Sequence, residues 1–281
     1  TSVVAMADIL AQYPDATILG GGTDLGILVS KERQAFETVI HSAQVKELRQ
    51  IDEDDETLTL GAAATYTEAL PYIERLFPSF ATMIKRIGSR QIRNAGTVGG
   101  NVGNASPIGD TPPCLITLDA TLVLYSRAGD RELSIEKFFL DYRKTDLKDG
   151  EFIKAIRIPK LKVHQAFRTY KISKRYDQDI SAVLGAYRLE MAGDEIAEAR
   201  IAYGGMAATP KRAFAAEAAL AGKVWNRDVA LEAAAAISGD YTPISDHRAS
   251  GAYRSKVAGN LFLRLYNDLS GVDQALEVMA L

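Results

Sequence analysis

The chain has 281 residues, of which 47% are hydrophobic and 25% charged, and its formal net charge is −3. That length and balance fit one large or two ordinary globular domains and exclude a disordered or collagen-like chain. The acidic balance argues against nucleic acid as a partner, because phosphate binding needs a basic surface. No apolar run reaches the roughly 18 residues of a membrane span, so no membrane association is expected.

The first segment, Thr1 to Asp8, lacks the basic-then-apolar pattern of a secretory leader, and residue 1 is not Met, which reads as a processed or excised piece. Val3, Val4, Ala7, Ile9, Leu10 and Tyr13 form a helical face that Pro14 stops. Ala16 to Leu19 is a short apolar run suited to a buried strand, and it ends in Gly20-Gly21-Gly22-Thr23-Asp24. Consecutive N–H groups in such a turn can point into one concavity and admit phosphate oxygens. The spacing is neither GxGxxG nor a P-loop, so a plain glycine-rich turn stays open as the alternative.

Phe36 to Ile40 reads as a strand, and Val45, Leu48 and Ile51 lead towards a second. Glu53 to Glu56 is an acidic hairpin tip before the alternating strand Thr57 to Gly61. Thr67 is the expected cap of a helix carrying Ala69, Leu70 and Ile73, and Phe77 to Ile87 holds a further helical face. Arg86, Arg90 and Arg93 follow closely; they read either as surface charge or as contacts to a phosphate or a neighbouring subunit.

The stretch Thr97-Val98-Gly99-Gly100-Asn101-Val102-Gly103-Asn104-Ala105-Ser106-Pro107-Ile108-Gly109-Asp110 is the most unusual. Glycine loses the most backbone entropy on folding, so such a cluster calls for an offset: a close ligand or a positive φ. The single cysteine, Cys114, cannot form an internal disulfide, a CxxC pair or a four-cysteine cluster, and it reads as a buried structural thiol of a cytoplasmic protein. A short helix is expected over Cys114 to Leu118 and a hairpin around Ala128-Gly129-Asp130, with Ile135, Phe138, Phe139 and Tyr142 as packed side chains. Glu151 to Pro159 alternates as a strand. The Pro- and Lys-rich segment after it divides the chain into domains 1–159 and 163–281.

Strand-like runs at 166–174, 180–190 and 196–203 predict a three-stranded antiparallel sheet, with Ala192-Gly193-Asp194 as a turn. Alanine-rich helices follow at 212–220, 227–237 and 250–269. Lys171 to Ile180 sets Lys171, Lys174 and Arg175 against Asp177 and Asp179; it reads as a polar hairpin edge or as a loop facing a charged cosubstrate. His41, His164 and His247 are scattered, without metal-ligand spacing. No GxSxG or HExxH pattern occurs, so a cofactor is expected to carry any chemistry. Two separated glycine-rich stretches fit one long dinucleotide.

Across essentially its whole length the chain resembles the flavoprotein family of the molybdenum hydroxylases, most closely the flavin-carrying subunit of bacterial xanthine dehydrogenases. The resemblance rests on Ile18-Leu19-Gly20-Gly21-Gly22-Thr23-Asp24, the Thr97–Asp110 stretch, Lys171–Ile180, Ala202-Tyr203-Gly204-Gly205-Met206-Ala207 and Arg248-Ala249-Ser250-Gly251-Ala252-Tyr253-Arg254. It implies an α+β architecture: a two-lobed FAD-binding domain of the PCMH/vanillyl-alcohol-oxidase type, then a small domain with a three-stranded antiparallel sheet and helices.

By the same resemblance, FAD is held by Ile18, Leu19, Gly20, Gly21, Gly22, Thr23, Asp24 and Leu25, then by Thr97, Val98, Gly99, Gly100 and Asn101, with Ile87, Asp110, Ile153 and Lys171 as further contacts. No residue of the chain is expected to be catalytic or to bind a metal. The implied activity is electron transfer: a molybdopterin-binding large subunit hydroxylates xanthine or hypoxanthine, electrons pass through [2Fe–2S] clusters to FAD, and NAD⁺ accepts hydride. The Lys174–Asp179 loop matches the segment governing access of NAD⁺. A hetero-oligomer is implied. The chain departs from the family in lacking a cysteine-rich iron–sulfur domain, so the clusters are expected on another chain or on a missing domain. It also departs by carrying Tyr176 and Gln178 in the loop, so the dehydrogenase-to-oxidase switch of mammalian relatives is not carried over. Sister readings are a flavoprotein subunit of a hydroxylase for carbon monoxide, aldehydes or aromatics, and a flavin-free scaffold.

Overall fold

The computed structural model describes residues 2–271, so the last ten residues of the expected second domain lie outside the described residues. Helix α1 (Val3–Gln12) starts at Ser2, whose side chain accepts from the Ala5 N–H. Val3, Met6, Ala7 and Leu10 form its buried stripe, at the spacing of one helical face. Strand β1 (Thr17–Leu19) pairs in parallel with β2 (Val39–His41), and helix α2 (Leu25–Glu32) connects them. No residue of α2 is buried. The strand expected from residue 36 is thus shorter, and Val45 and Leu48 fall in or beside 3₁₀ turns at Ser42–Gln44 and Lys46–Arg49 rather than in a strand. Their side chains are still buried, so packing is satisfied without extended backbone.

Strands β3 (Ile51–Glu53) and β4 (Thr57–Gly61) form the hairpin, whose tip is closed by Asp54 accepting from the Glu56 and Thr57 N–H groups. Helix α3 (Tyr66–Leu76) is capped by Thr65, not Thr67, because Thr65 and Glu68 make a reciprocal capping box. Helices α4 (Pro78–Lys85), α5 (Arg90–Ala95), α6 (Val98–Gly103) and α7 (Thr111–Thr117) follow. After them come the hairpin β5 (Thr121–Ser126) and β6 (Gly129–Ser134), the small hairpin β7 (Phe139–Asp141) and β8 (Lys144–Thr145), and β9 (Phe152–Pro159). The main sheet runs β3-β4-β9-β5-β6, antiparallel throughout. Leu58, Leu60, Ile73, Phe80, Val98, Leu122 and Ile156 lie in its core. Ile135 and Phe138 are packed as expected, whereas Tyr142 is exposed.

The second sheet is formed by β10 (Gln165–Ile172), β11 (Val183–Ala192) and β12 (Glu195–Gly204), antiparallel, with a two-residue fourth strand β13 (Lys211–Arg212) at its edge. Helices α8 (Phe214–Leu220), α9 (Arg227–Asp240) and α10 (Gly251–Ser270) supply the cover for one face, around Tyr187, Tyr203, Ala216, Ala233 and Phe262. The other face joins the first core through Phe167, Leu184, Ala186 and Ala202. Strand β11 is therefore buried on both faces, which explains its continuous apolar run. No helix among the described residues is long and apolar enough to cross a membrane.

Candidate functional site

The two glycine-rich stretches meet. A Cβ at Gly21 would stand 1.7 Å from the Ala95 carbonyl oxygen, and one at Gly20 would stand 3.2 Å from Thr97 Oγ1. From the other side, a Cβ at Gly96 would lie 3.4 Å from Thr23 Oγ1. The turn 20–24 is anchored below by Ser42, whose Oγ donates to the Leu19 carbonyl at 3.1 Å. Ile18 and Leu19 are half-buried in β1 and its end, and Leu25 opens α2. The backbone N–H groups of Gly21, Gly22, Thr23 and Asp24 have no acceptor among the described residues. Gly22 sits at φ 68, a conformation that glycine adopts without strain. A row of unpaired N–H groups in a bent backbone is an anion-binding concavity.

The second stretch is not a loop, as its glycines suggested, but begins as helix α6. Thr97 caps it, accepting from the Gly100 N–H at 2.9 Å. Val98 and Val102 are fully buried and hold the helix to the core despite three glycines within it. Two kinds of glycine separate here. Gly99 is packed: a Cβ would lie 2.5 Å from the Ala62 carbonyl oxygen. Gly100 and Gly103 are exposed, and a Cβ at Gly103 would meet only Ile153, at 3.5 Å. Only the second kind leaves room for a ligand. Val98, buried in the core, can offer backbone and no side chain.

Asn101 is half-buried beside this open face, and its Oδ1 accepts from Thr111 Oγ1. Asp110, 7% exposed, precedes Thr111. It accepts from Lys171 Nζ and, at 2.5 Å, from Ser181 Oγ. The two partners lie at the end of β10 and just before β11, so they tie the start of α7 to the second sheet. Ile87 is half-buried, and its carbonyl and that of Gly88 accept from Arg93 Nη1. The expected cofactor residues thus fall on β1 and the turn after it, on α6 and its cap, or at the ends of α4, α7, β9 and β10. Sequence reasoning missed Ser42, Thr111 and Ser181. A polar residue inside the apolar run Ile180–Leu184 was the available signal for Ser181.

Of the three arginines, Arg86 grips the charged loop. Its Nη1 donates to the Lys171 carbonyl at 2.8 Å, its Nε to the Tyr176 carbonyl at 2.9 Å and its Nη2 to Ser173 Oγ at 3.3 Å. The loop is closed by Asp179, which accepts from the Arg175 and Ile180 N–H groups; these hold its carboxyl below the usual range, led by the Arg175 N–H. Lys174 Nζ reaches the His247 carbonyl. Around this loop Lys174, Arg175, Asp179, Ile180, Ala182, His247 and Arg248 line an open cavity of about 330 Å³. Arg254, 1% exposed, holds the carbonyl of the lining residue Ala182, both oxygens of Asp246 at 2.8 Å and the Gly205 carbonyl.

Cys114 is free and buried, and burial pushes its thiol pKa up, so it stays protonated and inert. Among the described residues no cluster of His, Cys, Asp and Glu could hold a metal ion.

Comparison with known proteins shows the family. Residues 1–161 match the FAD-binding domain of molybdopterin dehydrogenases, and residues 168–269 match the C-terminal domain of carbon monoxide dehydrogenase flavoproteins. Xanthine dehydrogenase 1 of Arabidopsis thaliana is 32% identical over 84% of this chain, which spans only 18% of that relative's length. The glyceraldehyde dehydrogenase medium chain of Sulfolobus acidocaldarius is 29% identical, with 90% of each chain covered. The carbon monoxide dehydrogenase structure from Hydrogenophaga pseudoflava superposes with a TM-score of 0.89 at 30% identity, over 94% of this chain and 92% of that one. With the match extending over more than half of its length, the chain belongs to the FAD-binding flavoprotein family of the molybdopterin dehydrogenases.

Proposed function

We propose that this chain is the FAD-binding electron-transfer subunit of a molybdenum hydroxylase of the xanthine dehydrogenase type, acting on xanthine or hypoxanthine through a separate large subunit. The observation that carries the reading is the unpaired N–H row of Gly21 to Asp24 beside the side-chain-free face of Gly100 and Gly103. The row suits a diphosphate, and the glycine face suits a flat or extended ligand whose approach a Cβ would block. The residues fit FAD.

In this reading Ile18 to Leu25 hold the diphosphate side. Thr97 to Asn101 present backbone and one carboxamide, Ile153 bounds the glycine face, and Asp110, Lys171 and Ile87 bound its far end. When bound, FAD supplies the redox chemistry that joins one-electron iron–sulfur donors to a two-electron hydride acceptor. The chain's own residues bind it, orient it and shield it from water. The Lys174–Asp179 loop and the basic mouth around Arg248 suit the diphosphate of NAD⁺ as acceptor. Molybdopterin and [2Fe–2S] clusters belong, in this reading, to partner chains or a further domain of a cytoplasmic hetero-oligomer. The division into 1–159 and 163–281 separates the cofactor lobe from the cap that carries the loop.

The likeness to a carbon monoxide dehydrogenase favours a second reading: the same role in a hydroxylase for another substrate. The purified chain separates these. It is expected to be yellow with near-stoichiometric flavin, and NADH is expected to bleach it under anaerobic conditions. Bleaching by no pyridine nucleotide, with rapid reoxidation by oxygen, favours the second reading. A colourless folded chain that ignores added FAD overturns both and leaves a flavin-free scaffold.

A further inference from the structure

We propose that Thr111 sets the orientation of the Asn101 carboxamide, so that its NH₂ end faces an acceptor oxygen of the bound dinucleotide; this rests on the flavin reading above. A carboxamide has one accepting end and one end with two donors, and the two have nearly the same shape. Packing alone therefore does not choose between them. A partner that donates to one end does.

Thr111 is that partner. It is fully buried as the first residue of α7, and its Oγ1 donates to Asn101 Oδ1. The Asp110 carboxylate, on the residue before it, is held from elsewhere: one oxygen accepts from Lys171 and the other from Ser181. The Tyr66 phenol lies buried beside Thr111 without an acceptor of its own. Turning the carboxamide over would set its N–H groups against the Thr111 hydroxyl proton and leave that buried proton without its acceptor.

With Oδ1 engaged inward, Asn101 Nδ2 has no partner among the described residues. Asn101 is half-buried, at the border between the core face of α6 (Val98, Val102) and its open glycine face (Gly100, Gly103). The donors are thus left where the cofactor would offer phosphate, ribityl or flavin carbonyl oxygens. Thr111 is a positioning residue; Asn101 makes the contact.

The experiment is a double-mutant cycle on FAD affinity, read by fluorescence titration of the flavin-free chain. Thr111→Val keeps the shape and removes the proton. Its Kd for FAD is expected to rise about 5- to 10-fold, the effect of one neutral hydrogen bond. Thr111→Ser is expected to restore wild-type affinity. Placed on an Asn101→Ala background, Thr111→Val is expected to weaken binding no further. Thr111→Cys on the same two backgrounds reads the same coupling if the valine variant does not fold. An affinity within about twofold of wild type for folded Thr111→Val, or an equal loss with and without Asn101, overturns the proposal and leaves the flavin reading standing. A wild-type chain that binds no FAD overturns both.

Discussion

The guanidinium carbon of Arg86 lies 4.8 Å from the centroid of the Tyr176 ring, while Arg86 Nε donates to the carbonyl of the same residue. The side chain at the C-cap of α4 thus holds both the ring and the backbone of the loop between β10 and β11. Arg86 is half-buried, and burial is the largest influence on it, favouring loss of its charge; Tyr176 and Asp110 oppose that.

Arg86→Ala removes that grip. The loss is expected to cost about 2 kcal/mol, as for charge-assisted hydrogen bonds to partly buried carbonyls. Urea unfolding measures the cost, and limited proteolysis is expected to cut first between Ser173 and Ser181. An unchanged cleavage pattern would show that Asp179 and Lys174 hold the loop without Arg86.

The glycines separate by role, and substitution distinguishes them. Gly21→Ala is expected to prevent folding of the first lobe, since its Cβ would overlap the Ala95 carbonyl. Gly103→Val is expected to fold but to lose flavin, since it faces open space next to Ile153. Gly100→Val is a less clean probe, because a Cβ there would also press on the capping hydroxyl of Thr97, at 2.8 Å. Circular dichroism and flavin absorbance on the same samples decide the matter. Full flavin content in Gly103→Val would contradict the placement of the cofactor.

Asp110 and Lys171 form an ion pair with side-chain exposures of 8% and 2%. Removing one charge leaves the other stranded, so Lys171→Met is expected to destabilise the flavin-free chain by about 3–5 kcal/mol. The double replacement Asp110→Leu with Lys171→Met is expected to recover most of that. Denaturant titration of the two variants tests it; equal losses in both would point to packing instead of charge.

Burial works to raise the Asp246 pKa, but the Ala249 and Arg248 N–H groups and then Arg254 outweigh it and lower the carboxyl from 3.8 to about 2. A carboxylate with a depressed folded-state pKa stabilises the fold above its unfolded pKa, and the contribution fades as pH falls through the folded value. Stability is therefore expected to drop between about pH 4 and pH 2 through this group. Asp246→Asn is expected to flatten that limb of the curve while lowering stability at neutral pH. A limb unchanged in the variant would assign the acid sensitivity to other carboxylates.

Much of the fold was legible because its signals are local. The stripe of α1, the alternation of β4 and β9 and the turn at Gly193 each depend on residues a few positions apart, and the structure reproduces them. The exceptions follow from packing. Val45 and Leu48 are buried from 3₁₀ turns instead of a strand, and α6 winds through glycines because Thr97 caps it and two valines anchor it.

What the sequence determined by itself was most of the longer strands and helices and the presence of two glycine-rich stretches, since composition and short-range period carry that information. Only the tertiary structure decided which glycines face open space and which merely let backbones touch, as Gly103 and Gly21 do. It alone brought Ser181 to Asp110 across 71 positions and Thr111 to Asn101 across a change of helix. Hydrogen-bond partners so far apart leave no periodic trace in a chain, because they are set by how sheets and helices pack and not by the local geometry of either segment.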